Sequence, residues 1–294
     1  MTREPADSWH EHDVRHWSDD RFQQHFDRLQ GAHRGPVVVV ESTGSTNADV
    51  ADQAAQGAPS GFTIVAHEQV SGRGRLDRQW VSPLGAGVAM SILVRPHVPV
   101  SRWGWLPLLA GLGVVAACAD VGLSATLKWP NDVIVDQDGS DGRPGPRKCG
   151  GILVERVDDA ADSHGAAAVI GIGLNVDLSI DELPTDVATS LRLEGVLVDR
   201  ELVVVRILDR VMIAVDQWAA SSGDVHASGV LAQYRDACST LGQRVRVERP
   251  GGSLLTGIAI DIDQSGGLVV EVDDGDALIV TAGDVVHVRT DRQL

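Results

Sequence analysis

Two apolar, β-branched runs, Phe62-Thr-Ile-Val-Ala66 and Gly87-Val-Ala-Met-Ser-Ile-Leu-Val94, bracket the segment Gln69-Val-Ser-Gly-Arg-Gly-Arg-Leu-Asp-Arg-Gln-Trp80. Each run has the residue types and flanking turns of a strand. The chain must therefore fold so that two core strands carry a basic, glycine-containing loop between them. Gly72 and Gly74 are read as positions of positive φ, where backbone approaches a ligand with no side chain in between. Arg73, Arg75 and Arg78 offer permanently charged planar forks suited to carboxylate or phosphate oxygens. Trp80 adds a large flat face. An anion carrying an aromatic ring, such as a nucleotide, fits this set. Gly-Arg repeats also occur in disordered nucleic-acid-binding tails, but a place between core strands favours a binding loop.

The surrounding charge sharpens that reading. The 294 residues carry a formal net charge of −16, which disfavours general binding to DNA, RNA or anionic membrane. A basic loop in an acidic body suits a small anion. Hydrophobic residues make up 43% and charged residues 22%, ordinary for a soluble globular protein, and the length predicts one large domain plus a small one. Cys118, Cys149 and Cys238 are scattered without metal-ligand spacing, as expected of reduced thiols in a cytoplasmic protein. No apolar secretion signal opens the chain. The apolar stretch Trp105 to Ala119 is short for a membrane span and contains Pro107 and two glycines, so it predicts a buried helix starting near Ser101.

Residues 1–35 form a polar extension with His10, His12, His16, His25 and His33, irregularly spaced and without nearby cysteines, and one short helix is expected around Asp19 to Leu29. From Val37 strands and helices are mixed without strict alternation. Strands are expected at 37–41, 62–67, 87–95, 124–129, 132–136, 150–157 and 167–173. Helices are expected from Ser45-Thr46-Asn47 to about Gln56, and near 199–220 and 224–238. Asp136 to Arg147, rich in glycine, proline and aspartate, reads as a mobile loop. The fold class is α+β, a mixed or antiparallel sheet flanked by helices over 36–240. Short strands separated by Pro250-Gly-Gly, Ser265-Gly-Gly and Asp273-Asp-Gly-Asp then predict a small SH3-like β-barrel over 241–294, without a catalytic constellation of its own.

Four further segments can carry chemistry. Lys128-Trp-Pro-Asn-Asp132 brings a cation, an amide and a carboxylate to a strand turn. Lys148-Cys-Gly-Gly-Ile-Leu-Val-Glu155 sets a lysine before two glycines and an apolar strand. Gly171-Ile-Gly-Leu-Asn175 ends a strand on flexible backbone and an amide. Ser45-Thr46-Asn47 puts hydroxyls and backbone N–H groups at a helix start, which favours a polar or anionic group. Singly, these are equally a turn, a bulge and a tight bend. No Walker-type loop is present, and Gly72-x-Gly74-x-x-Asp77 breaks a dinucleotide fingerprint at its third glycine.

As an ordered set the segments resemble the biotin–protein ligases, which attach biotin to acetyl-CoA carboxylase and its relatives. The matching residues are Ser45-Thr46-Asn47, Gln69 with Gly72-Arg-Gly-Arg75, Arg78-x-Trp80, Lys128-Trp-Pro-Asn-Asp132, Lys148-x-x-Gly151-Ile-Leu-Val-Glu155 and Gly171-x-Gly-x-Asn175. They cover about 36–290 in family order, and the chain is similar to the monofunctional subgroup without an N-terminal DNA-binding domain.

The resemblance implies an AMP-forming ligase that uses ATP, Mg²⁺ and biotin and modifies a biotin carboxyl carrier domain, with no nucleic-acid or membrane partner. It implies biotin contacts from Ser45, Thr46, Asn47, Gln69, Gly72, Arg73, Gly74, Arg75, Lys148 and Gly151. It places Arg75, Arg78, Trp80, Asn131, Asp132, Lys148 and Asn175 on the nucleotide, with Asp132 acting through Mg²⁺. Lys148, Arg73 and Arg75 carry the chemistry. Three departures stand out: Asp77 replaces a common glycine, the 136–147 insert is long, and Cys149-Gly150 replaces Leu-Ala. A thiol beside Lys148 is either acidified by the cation or buried and inert. The rival readings are a lipoate or octanoate ligase of the same superfamily, and a biotin-responsive DNA-binding repressor.

Overall fold

The structure is a computed structural model that describes residues 17–28, 35–80, 83–139, 142–157, 166–248, 253–281 and 283–287. His10, His12, His16 and His33 lie outside the described residues, whereas His25 lies on helix α1 (Asp19–Asp27).

Seven strands form the main sheet: β1 (Val37–Thr43), β2 (Thr63–Gln69), β5 (Gly87–Val94), β6 (Thr126–Lys128), β7 (Asp132–Val135), β8 (Arg147–Val157) and β9 (Ala167–Asn175). Their order is β1-β2-β5-β9-β8-β7-β6. β1 and β2 run parallel and every other pair is antiparallel, so the expected mixed sheet is present. All eight residues of β5 are buried, which explains its continuous apolar run in place of an alternating one.

Helix α3 (Leu106–Asp120) packs on one face of the sheet, against α4 (Arg200–Ala220). Its Leu106, Leu108, Leu109, Ala110 and Val114 are buried in the core, together with Trp105, Trp129 and Trp218. A Cβ on Gly113 would lie 2.6 Å from the Val211 Cα, so glycine is what lets the two helix backbones approach. Helix α2 (Thr46–Ala55) lies on the sheet with a smaller cluster of Val50, Ala54, Phe62, Ile64, Leu93 and Val169. Helix α5 (Val230–Ala237) is shorter than the expected 224–238, because Asp224 accepts backbone N–H bonds from His226 and Ala227 and holds that stretch as a turn.

The C-terminal strands β10 (Arg244–Glu248), β11 (Leu254–Ile262), β12 (Leu268–Val272), β13 (Ala277–Val280) and β14 (Asp284–His287) form a five-stranded antiparallel sheet in the order β13-β12-β11-β10-β14. It is tied to the larger unit by tryptophan: Trp105 Nε1 donates to the Asp263 carbonyl at 3.1 Å and Trp129 Nε1 to the Gly266 carbonyl at 3.0 Å.

Candidate active site

The basic segment folds as a small hairpin, β3 (Gly72–Arg73) and β4 (Gln79–Trp80), closed by a short 3-10 turn over Arg75–Asp77. The Gly74 N–H donates to the Arg78 carbonyl at 2.6 Å and pins its neck. The backbone corrects one expectation. Neither Gly72 nor Gly74 takes a positive φ; the left-handed residue is Leu76, at φ 55. Gly72 is required by proximity instead, since a Cβ there would lie 2.3 Å from the Gln69 amide nitrogen and 2.5 Å from the Trp80 carbonyl.

Beneath the hairpin, β8 and β9 build the cleft floor. The pairs Gly151↔Gly173 and Leu153↔Gly171 lie side by side, and the period of two puts Gly151, Leu153 and Glu155 on one face. The missing Cβ atoms are occupied by neighbours: one on Gly173 would meet the Trp80 indole at 2.4 Å, and one on Gly171 would meet Asn47 Oδ1. Trp80 therefore lies flat on the glycine floor. Its buried Nε1–H has no hydrogen-bond partner, a donor that a bound ligand could satisfy.

Lys148 reaches the same face through a bulge. Val133 pairs with Gly150 and Ile134 with Lys148, so Cys149 is the extra residue between them. That insertion moves Lys148 onto the side of Gly151, where its Nζ would lie 3.3 Å from a Gly151 Cβ. The ammonium sits 2.5 Å from Asp132 Oδ1 and 5.7 Å from the Trp80 ring centroid. Cys149 itself is fully buried, its thiol directed at the Val133 carbonyl, and burial pushes its pKa well above the usual thiol value. Of the two readings of this thiol, the inert one holds.

The other wall begins at α2. Ser45 is the N-cap residue but makes no side-chain cap bond. Gln69 takes that role: its Oε1 accepts from the Thr46 N–H at 2.9 Å and from Thr46 Oγ1 at 3.1 Å. Thr46 Oγ1 lies 2.7 Å from Ser91 Oγ, which donates to Asn47 Oδ1 at 2.6 Å. Asn131 closes the far side, its amide donating to the Ile152 carbonyl at 2.9 Å.

Together these walls enclose a cleft that opens to solvent under the hairpin. Ser45, Thr46, Asn47, Gln69, Arg73, Gly74, Arg75, Arg78, Trp80, Asn131, Asp132, Lys148 and Gly151 all line it. Two expected residues do not. Gly72 is buried at the base of the hairpin, and Asn175 is buried with its amide donated to the Thr189 carbonyl at 2.9 Å, so it braces the 188–191 segment. Gly283 lines the cleft unforeseen, and its carbonyl accepts from Arg75 Nη2 at 3.2 Å. No local signal marks it, because its place depends on how the C-terminal sheet docks.

Comparison with known proteins decides the family. Residues 39–175 match the biotin/lipoate A/B protein ligase family, and residues 240–288 match the biotin protein ligase C terminal domain. A biotin–[acetyl-CoA-carboxylase] ligase of Mycobacterium tuberculosis is 39% identical over 271 residues, 90% of this chain and 94% of that one. The chain belongs to the biotin protein ligases. A bifunctional ligase/repressor of Bacillus spizizenii is 30% identical, over 86% of this ligase and 74% of that relative. The structure of the biotin protein ligase from Aquifex aeolicus in complex with biotin and ATP superposes with a TM-score of 0.69 at 25% identity, covering 86% of the ligase chain and 99% of the Aquifex chain.

Proposed function

We propose that this cleft activates biotin with ATP to biotinyl-5′-AMP and then transfers biotin to a lysine of a biotin carboxyl carrier domain. One observation carries the reading: Lys148 is turned by the Cys149 bulge onto the glycine floor that also faces Arg73, Arg75 and Arg78. The reaction joins two anions, a carboxylate and an α-phosphate, which repel each other. Three guanidinium groups and an ammonium offset that repulsion and stabilise the charge that develops as the oxygen attacks phosphorus. Pyrophosphate leaves, the carrier lysine attacks the acyl carbon of the mixed anhydride, and AMP departs.

Each wall has its part. Thr46, Gln69 and Ser45 supply hydroxyl and amide groups matched to the donors and acceptors of the ureido ring. Trp80, Asn131 and Asp132 serve the nucleotide, and the hairpin keeps water from the anhydride. Magnesium fits only in a limited way. Among the described residues no three His, Cys, Asp or Glu side chains gather, and Asp132 already faces Lys148. Asp132 is the one residue that would help hold such an ion beside the ATP phosphates, and the ion would supply neutralisation of phosphate charge.

A fatty acyl substrate would call for an apolar tunnel, whereas polar Thr46, Asn47 and Gln69 line this cleft. The test is intact mass analysis of a carrier domain after incubation with the protein, ATP, Mg²⁺ and either biotin or lipoate. A gain of one biotinyl group, with none from lipoate, is expected; modification by lipoate alone overturns the reading.

A further inference from the structure

Glu155 ends the row Gly151, Leu153, Glu155 on β8, and its one carboxylate engages both walls of the cleft. Its Oε2 accepts from Asn47 Nδ2 at 2.6 Å, and Arg73 Nη2 lies 3.1 Å from Oε1 and 3.2 Å from Oε2. Asn47 leads on through Ser91 and Thr46 to Gln69. An unbroken series of polar contacts thus runs from the hairpin, Arg73, through Glu155 and the start of α2, to the opposite wall. The Arg73 and Glu155 side chains are 53% and 34% exposed. An ion pair so open to water is weak and exchangeable. A phosphate or carboxylate entering the cleft can draw Arg73 away, while the Asn47 amide stays on Glu155.

We propose that Glu155 is a positioning residue that holds Arg73, and with it the basic hairpin, over the empty cleft and releases Arg73 to the anionic ligand. The consequence for catalysis rests on the biotin–ATP reading; the latch does not. In the empty protein Glu155 keeps the hairpin near its closed place, so ligand binding orders less chain. In the loaded protein Arg73 has left the carboxylate, so the chemical step is indifferent to its charge.

Glu155→Gln keeps an oxygen for Asn47 and removes the charge. Thermolysin cleavage at Leu76, an exposed residue at the hairpin tip, reads the latch in the ligand-free protein whatever the substrate is. Cleavage should speed up about fivefold, the bias that a weak exposed pair can supply. The KM for biotin should rise by a similar factor with kcat held within about twofold, a split that general loss of stability would not give. A folded Glu155→Gln protein with parental cleavage overturns the latch; faster cleavage with a lowered kcat and unchanged KM overturns the positioning role. Should Glu155→Gln fail to fold, Arg73→Gln removes the other partner, and parental cleavage of that ligand-free variant overturns the proposal equally.

Discussion

Lys148 is the residue on which the proposed chemistry turns. Its ammonium has a partly exposed partner in Asp132 and an aromatic face in Trp80, and it lines the cleft beside Gly151. A partly exposed ion pair contributes little to folding, typically below about 1 kcal/mol. Its value as a fixed positive charge beside developing negative charge is larger, of the order of 10²- to 10³-fold in rate. Lys148→Ala should therefore lower biotin-dependent pyrophosphate exchange by at least about a hundredfold, with an unchanged far-UV spectrum and a melting temperature close to the parent. A folded variant that exchanges at the parental rate would remove Lys148 from the site. The sequence marked this lysine through the glycines that follow it. It could not reveal why an even-numbered residue shares a face with Gly151 and Leu153, because the Cys149 bulge exists only in the pairing with β7. The contact of Asn175 was hidden for the converse reason: its strand was foreseen, but its side chain goes to Thr189, whose position is set by non-local packing.

At the scale of the element, contacts that hold the hairpin over Gly72–Trp80 include the Gly74–Arg78 neck, Arg73 to Glu155, Arg75 to Gly283, and Trp80 on the glycine floor. Its tip carries Leu76 in a left-handed conformation and exposed, a combination that costs free energy and invites local opening. On the proposed function, binding of biotin with ATP would add anions for all three arginines and an acceptor for Trp80 Nε1. Cleavage by thermolysin at Leu76 should slow at least about tenfold when both ligands are present, as expected when ligand binding suppresses local unfolding. Equal cleavage with and without ligands would argue against a closing element. Composition made this segment legible as a basic, glycine-containing loop between two core strands. It misplaced the left-handed residue, since glycine content signals where backbone can turn, not where neighbours crowd a Cβ.

At the scale of the whole molecule, the two sheets share the site. Gly283 of the segment before β14 receives Arg75, while His287 at the end of β14 meets Thr240 beside β6. The Trp129 N–H donates to Thr240 Oγ1 at 3.0 Å, and Thr240 Oγ1 lies 3.1 Å from His287 Nε2, so the hydroxyl proton is free to go to a neutral imidazole. Burial, and then the charge of Lys128, lower the His287 pKa from its ordinary 6.5. The sign follows from linkage: the unfolded chain takes up the proton first as pH falls, so this group's stabilisation is complete above about 6.5 and is lost as pH drops toward the folded value. His67, lowered by burial and Arg200, acts in the same direction in the larger unit. Melting temperature should fall between pH 7.5 and 5.5, and His287→Gln should reduce that fall while leaving the His67 contribution in place. The same acidification should loosen the end of the C-terminal sheet that brings Gly283 to Arg75, raising the KM for ATP in the parent more than in His287→Gln. An identical pH profile for the two proteins, in both melting temperature and KM, would mean that the docking of the sheets does not depend on the charge of His287.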